Sequence, residues 1–218
     1  MEMRLERGES ITVSDRAVET RQGVNMRTVD EPRGVRACAV AIFLLTLSAM
    51  AFAAEPARWT IDYGASKLGF TAEQAEAKFD GSFGKFEAEV RFDPSALGDS
   101  RAEVSIDTAS ITTANKDRDG ILRGDGWFES PKFPNARFVA KEFVKTNDGF
   151  EARGDLTIRT TAVPVKFVFT VAQTGNRVEL NGTAELDRLA FGLGTGEWAD
   201  PKAIGTKVTV VVKLVGTR

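Results

Sequence analysis

The sequence predicts an all-β fold, an antiparallel sheet of about eight strands. Three observations predict it. Apolar residues recur at every second position in several segments, as in Val165-Lys-Phe167-Val-Phe169-Thr-Val171. Turn chemistry interrupts the chain at short intervals, at Asp93-Pro94, Gly98-Asp99, Asn147-Asp148-Gly149, Gly175-Asn176 and Asp200-Pro201. Between the strands no helical pattern of about ten or more residues occurs, which disfavours a parallel βαβ sheet.

The first 32 residues are polar and charged without hydrophobic periodicity, and no fold is assigned to them. They are either a disordered extension or a stretch ahead of the true start, for which Met26 is the expected initiator. Residues 33–53 follow as an expected secretory signal peptide. Arg33 and Arg36 form its basic flank, 37–50 its apolar run, and Ala51-Phe52-Ala53 its small-x-small cleavage site. The run is shorter than the about 20 apolar residues of a spanning helix, and Glu55-Pro56 follows its small-residue end. The only cysteine, Cys38, lies ahead of the apolar run's end, where it is misplaced for lipid attachment. A mature chain beginning near Ala54 therefore carries no thiol and no disulfide.

Residues 54–218 are the size of one domain, about 165 residues. Strands are expected at 68–72, 86–92, 102–106, 136–144, 150–158, 165–171, 177–186 and 207–214. Their alternation separates two faces: Glu87 and Glu89 oppose Phe86, Ala88 and Val90 and belong to a solvated side. The short connection at 146–149 is a hairpin, which makes its neighbours antiparallel. Residues 114–134 break the pattern as a short helical or irregular insertion. Pro131 and Pro134 forbid a central strand there, and Trp127, Phe128 and Phe133 must be covered. This insertion either plugs one end of a closed sheet or lines the mouth of an apolar cavity.

Composition removes several chemistries. The chain has no histidine and the mature part no cysteine, which excludes ordinary zinc sites, Ser-His-Asp and Cys-His nucleophile systems, and haem ligation through histidine. A net charge of −2 with interspersed signs offers no basic stripe for nucleic acid. Asn115-Lys-Asp117-Arg-Asp119-Gly120 matches half of a calcium loop, but Gly126 stands where the closing Glu belongs. Gly194-Thr-Gly196-Glu-Trp-Ala199 has the letters of a dinucleotide fingerprint without its βαβ context, so its glycines serve a tight connection. Asp117 with Asp119, and Glu87 with Glu89, are paired carboxylates of the kind a glycosidase uses, yet nothing nominates a nucleophile. No cofactor and no metal are expected, and no enzymatic activity; the rival reading is a lipid-modifying enzyme that uses the loop carboxylates at 117–125 as acid or base. The notable excess is aromatic: 15 Phe and 3 Trp against 1 Tyr.

Taken in order, several segments resemble the YceI-like family, the lipocalin-like polyisoprenoid-binding proteins found mostly in the bacterial periplasm. They are Trp59-Thr-Ile-Asp62 with Ser66-Lys-Leu68-Gly-Phe70; Phe79-Asp-Gly81-Ser-Phe83-Gly-Lys-Phe86; Arg118-Asp119-Gly-Ile-Leu122 running into Trp127-Phe128-Glu-Ser-Pro-Lys-Phe133-Pro134; Gly154-Asp-Leu156-Thr-Ile158-Arg159 with Val163-Pro164-Val165; and Leu186-Asp-Arg188-Leu-Ala-Phe191-Gly192 ahead of Ile204-Gly205. The resemblance covers about residues 58–216. It implies an extended antiparallel lipocalin-like β-barrel with an apolar tunnel for one long-tailed amphiphile, such as a polyisoprenoid, a quinone or a fatty amide. It also implies a periplasmic carrier with a role in transport and stress response, and leaves open a membrane redox partner and pairing into a homodimer.

By residue type and strand phase, the expected tunnel walls are Phe70, Phe79, Phe83, Phe86, Trp127, Phe128, Phe138, Phe167, Phe169 and Phe191, some of them plain core. Arg118, Asp119 and Arg188 are the polar candidates for the head group, each with a structural ion-pair reading beside it. The chain departs from the family pattern in lacking the histidines of the first two strands and in carrying Thr160 where glycine commonly follows Leu-Thr-Ile-Arg.

Overall fold

The computed structural model describes residues 56–218, so the segment at 1–32 and the expected signal peptide at 33–53 lie outside the described residues. Among the described residues there are eleven strands and one α-helix, besides short 3-10 turns: β1 Thr60–Ile61, β2 Lys67–Gln74, β3 Ala77–Phe83, β4 Phe86–Arg91, β5 Arg101–Asp107, β6 Ile111–Thr112, α1 Lys116–Arg123, β7 Asn135–Lys145, β8 Phe150–Ile158, β9 Thr161–Thr174, β10 Arg177–Asp187 and β11 Lys207–Thr217. All eight expected strands are present. The count of eight is corrected by β1, β3 and β6, and the insertion at 114–134 contains α1 followed by turns.

The strands form one antiparallel sheet in the order β4-β5-β7-β8-β9-β10-β11-β2-β3-β6, with β1 also on β11. Short contacts close it into a barrel. At one end β1 lies beside β11 (Thr60 opposite Thr217), and Arg58 bridges to Arg91 while the Trp59 N–H donates to Val90 O at 2.8 Å. At the other, β6 continues β5 through a 3-10 turn at Thr108–Ser110 and pairs with β3 (Phe83 opposite Ile111). Closure of this kind leaves few free edges to aggregate.

One seam stays unpaired. The β9–β10 ladder runs from Thr174 opposite Arg177 to Val168 opposite Thr183 and stops there, while β9 continues back to Thr161. Pro164 falls in this stretch. Proline has no N–H to give a ladder, and an unpaired flank is where a strand tolerates it. A 3-10 turn at Arg188–Phe191 packs against β9 in place of the missing partner.

Alternation sets the two faces. In β4, Ala88 and Val90 are buried and Glu87 and Glu89 exposed; in β9, Val165 and Phe169 are buried while Lys166, Val168 and Thr170 are exposed. Two glycines let aromatic rings lie flat on the inner wall. Gly81 stands opposite Phe70, and a Cβ there would meet the ring at 2.2 Å; at Gly182 it would meet the Phe167 ring at 2.4 Å and Val168 O at 2.7 Å.

Helix α1 covers one end. The Asn115 carboxamide oxygen accepts from the N–H groups of Asp117 and Arg118 at 3.1 and 3.0 Å, supplying an N-cap. Acidic residues occupy its first turn and Arg123 its last, as the helix dipole favours. Of the oxygens that resembled a calcium loop, that of Asn115 is thus committed to starting a helix, and those of Asp119 accept from Thr113 and Thr112.

Candidate functional site

The inner faces of the strands enclose a cavity of about 410 Å³, within the range of about 300–1,000 Å³ that ligand pockets occupy. All ten expected aromatic residues line it: Phe70 from β2, Phe79 and Phe83 from β3, Phe86 from β4, Trp127 and Phe128 from the segment after α1, Phe138 from β7, Phe167 and Phe169 from β9, and Phe191 from the 3-10 turn. The rings support one another. Phe70 meets Phe83 at 5.8 Å, Phe83 meets Phe128 edge-on at 5.7 Å, and Phe167 stacks on Phe169 at 5.6 Å between centroids.

The cavity opens at the α1 end. Its exposed lining residues, Gln74, Asn115, Asp117 and Ile121, lie there, at the β2–β3 tip and on the helix. At the opposite end no lining residue is exposed: Val90, Phe92, Ala152, Phe169, Leu180 and Leu214 are buried, and Ala102 and Phe143 are half-buried. The tunnel is therefore blind. Its lining runs from Val208 to Leu214 along β11, six residue steps or about 20 Å of strand.

The three polar candidates have different fates. Arg118 lies at the mouth with its guanidinium carbon 3.8 Å from the Phe79 ring centroid. It donates to Thr113 Oγ1 (2.9 Å), Thr113 O (3.1 Å) and Gln74 Oε1 (3.2 Å), and has no ion pair among the described residues. Three of its five N–H groups are thus used, and two remain for an incoming oxygen.

Asp119 does not line the cavity, which corrects its place among the head-group candidates. It is buried, and its carboxylate accepts from the Thr113 N–H (2.7 Å), Thr113 Oγ1 (2.6 Å) and Thr112 Oγ1 (3.3 Å). Burial pushes the carboxyl upward, but the Thr113 and Thr112 hydrogen bonds and the Arg123 charge together hold it below its ordinary value.

Arg188 borders the cavity with only 3 % of its surface exposed. Its N–H groups donate to five backbone carbonyls: Gly205 (3.0 Å), Leu193 (2.8 Å), Gly194 (2.6 Å), Trp198 (2.7 Å) and Ile204 (2.9 Å). Every donor is spent on organising residues 193–205, so the head-group reading of Arg188 is also corrected. Burial depresses its pKa from the usual arginine value, and the nearby Asp187 opposes that. Gly194, at φ 61° against Arg188 and Trp127, serves the tight connection expected of the fingerprint-like glycines.

Selection by aromatic type missed other lining residues. Phe92 could have been found from phase, since in the expected strand at 86–92 it continues the inward alternation of Phe86, Ala88 and Val90. Phe143, Trp198 and the aliphatic Val208, Val210 and Val212 were equally legible from alternation or neighbourhood. Gln74, Asn115 and Asp117 carried no such signal, because they reach the mouth only through the packing of α1 beside the β2–β3 tip.

Comparison with known proteins gives a consistent picture. The chain is 29% identical over 164 residues to a UPF0312 protein of Vibrio cholerae serotype O1, covering 71% of this chain and 87% of that one. Among solved structures, Burkholderia cenocepacia BcnA superposes with a TM-score of 0.69 at 32% identity, over 72% of this chain and all of that one. A polyisoprenoid binding domain from Saccharophagus degradans, implicated in plant cell wall breakdown, shares the fold with a TM-score of 0.59 at 17% identity, over 74% of this chain and 98% of that one. The YceI-like domain model matches residues 59–216, nearly the whole barrel, and the chain belongs to that family.

Proposed function

We propose that the protein binds and carries one long-tailed amphiphile, a polyisoprenoid, a quinone or a fatty amide, with the tail in the tunnel and the head group at the α1 mouth. The observation that carries this reading is the blind apolar cavity with a single open end. A tail gains about 0.8 kcal/mol per buried CH₂, so a long chain is held without strong polar contacts. The fold shared with a domain named for polyisoprenoid binding supports the choice of tail.

The protein works in the periplasm, reached through the signal peptide at 33–53, and performs no chemistry on its cargo. Of the acidic residues at 117–125, Asp117 alone lines the cavity, exposed at its rim, while Asp119 is committed to Thr113. Quinone delivery to a membrane redox partner would use the same cavity, and a pull-down from membranes tests it.

Extraction of the purified mature protein should release a stoichiometric amphiphile, identified by mass spectrometry. A protein that purifies without lipid and takes up no added prenyl lipid would refute the proposal. Arg118→Gln should weaken an anionic amphiphile about tenfold, the loss of one charge-assisted hydrogen bond, and leave an uncharged one of equal tail length unchanged.

A further inference from the structure

We infer that an aromatic floor at the blind end fixes the length of the tail the tunnel accepts. This rests on the proposed binding of an amphiphile. Phe92, immediately after β4, is 1 % exposed and lies against Trp59 (6.4 Å), Phe143 (5.6 Å), Phe150 (5.0 Å) and Phe169 (5.3 Å), measured between ring centroids. Phe92, Phe143 and Phe169 face the cavity; Trp59 and Phe150 stand behind them in the same packed cluster.

The floor is held from outside. The Ser100 hydroxyl accepts from the Asp93 N–H at 3.1 Å and donates to Ala96 O at 3.2 Å, fastening the turn that follows Phe92. Arg218 reaches Phe92 O at 3.4 Å and the Asp93 carboxylate at 3.7 Å. Phe92, with four rings against it and its backbone pinned, does not retreat from the tail's path, because the close-packed cluster behind it has no space to receive it. A tail entering at α1 therefore ends at Phe92. Beside the floor the wall narrows to small residues, Ala102 and Ala152, which leave room for the last methylenes.

The test is calorimetric titration of the mature protein with straight-chain fatty amides of increasing length. Affinity should rise about fourfold per added methylene and then stop rising at a break length. Phe143→Ala, which opens the floor, should move the break to longer chains by several methylenes. Ala102→Leu, which fills the end, should move it to shorter ones. Phe92→Ala should lengthen it most, and the milder pair keeps the test decisive where that variant does not fold. A wild-type break that stays at the same length in folded Phe143→Ala and Ala102→Leu overturns the floor while leaving the carrier reading standing. Failure of the wild type to bind any member refutes the carrier reading for this class of tail, and the floor with it.

Discussion

Arg188 is a cation that spends all its hydrogen bonds on its own chain. Five carbonyls of residues 193–205 converge on it, and no carboxylate lies in ion-pair contact with it among the described residues. An ammonium has three donors without the planar fork, so lysine cannot replace it. Arg188→Lys is expected to cost about 3 kcal/mol or more through orphaned carbonyls, read as a lower urea midpoint. Asp119 makes the complementary case with pH. Its carboxyl titrates lower in the folded protein than in the unfolded chain, so its contribution is complete above the unfolded value of about 3.9 and is lost as pH falls towards the folded one. Thermal melts of wild type and Asp119→Asn should therefore differ at neutral pH and converge on acidification below about pH 4. A gap that stayed constant to low pH would contradict the assignment.

Among the elements, β3 shows why some of the fold was illegible. Its hairpin with β2 turns through Ala75 and Glu76, both at positive φ (50° and 64°), without the Gly or Asn that announces such a turn. The tip is held from elsewhere, by the Ala75 N–H donating to Ala203 O and the Gly205 N–H to Glu73 O, each at 2.9 Å. A local signal was replaced by a contact distant in sequence. By contrast β8 matched its expected span at 150–158, because alternation and the Asn147-Asp148-Gly149 turn agree. The β8–β9 turn accommodates Thr160 because Arg159 alone takes positive φ there, at 55°. The aromatic walls were legible for the same reason as the strands, since phase and residue type both mark them. The fates of Arg118, Asp119 and Arg188 were not, because a hydrogen-bond inventory depends on which loops meet. The two wall glycines give an element-scale prediction. Gly182→Ala meets backbone at Val168 O and should cost about 1–3 kcal/mol in unfolding free energy. Gly81→Ala meets only the Phe70 ring, which can swing into the cavity, so its main expected effect is weaker binding of long tails in the same titration.

For the whole molecule, the buried residues of one core cluster all line the tunnel, and Val90, Phe92, Ala152, Phe169, Leu180 and Leu214 of the other do so too, so stability and occupancy are coupled. A ligand that binds only the folded barrel stabilises it by mass action, about 2.7 kcal/mol at a hundredfold excess over Kd. If the protein binds an amphiphile as proposed, stripping it should therefore lower Tm by about 5–10 °C in calorimetry, and adding it back should restore the value. An unchanged Tm would mean that the bound lipid contributes nothing to the folded state.

A pocket with one opening imposes an order of events on its cargo. For an amphiphile held here the tail is first in and last out, and entry and exit are one path run in opposite directions. If the protein carries its ligand as proposed, a donor and an acceptor would address the same rim of α1 and the β2–β3 tip, in succession and never together. Transfer would then follow a ping-pong sequence, and anything that occupies that rim would stop loading and unloading alike.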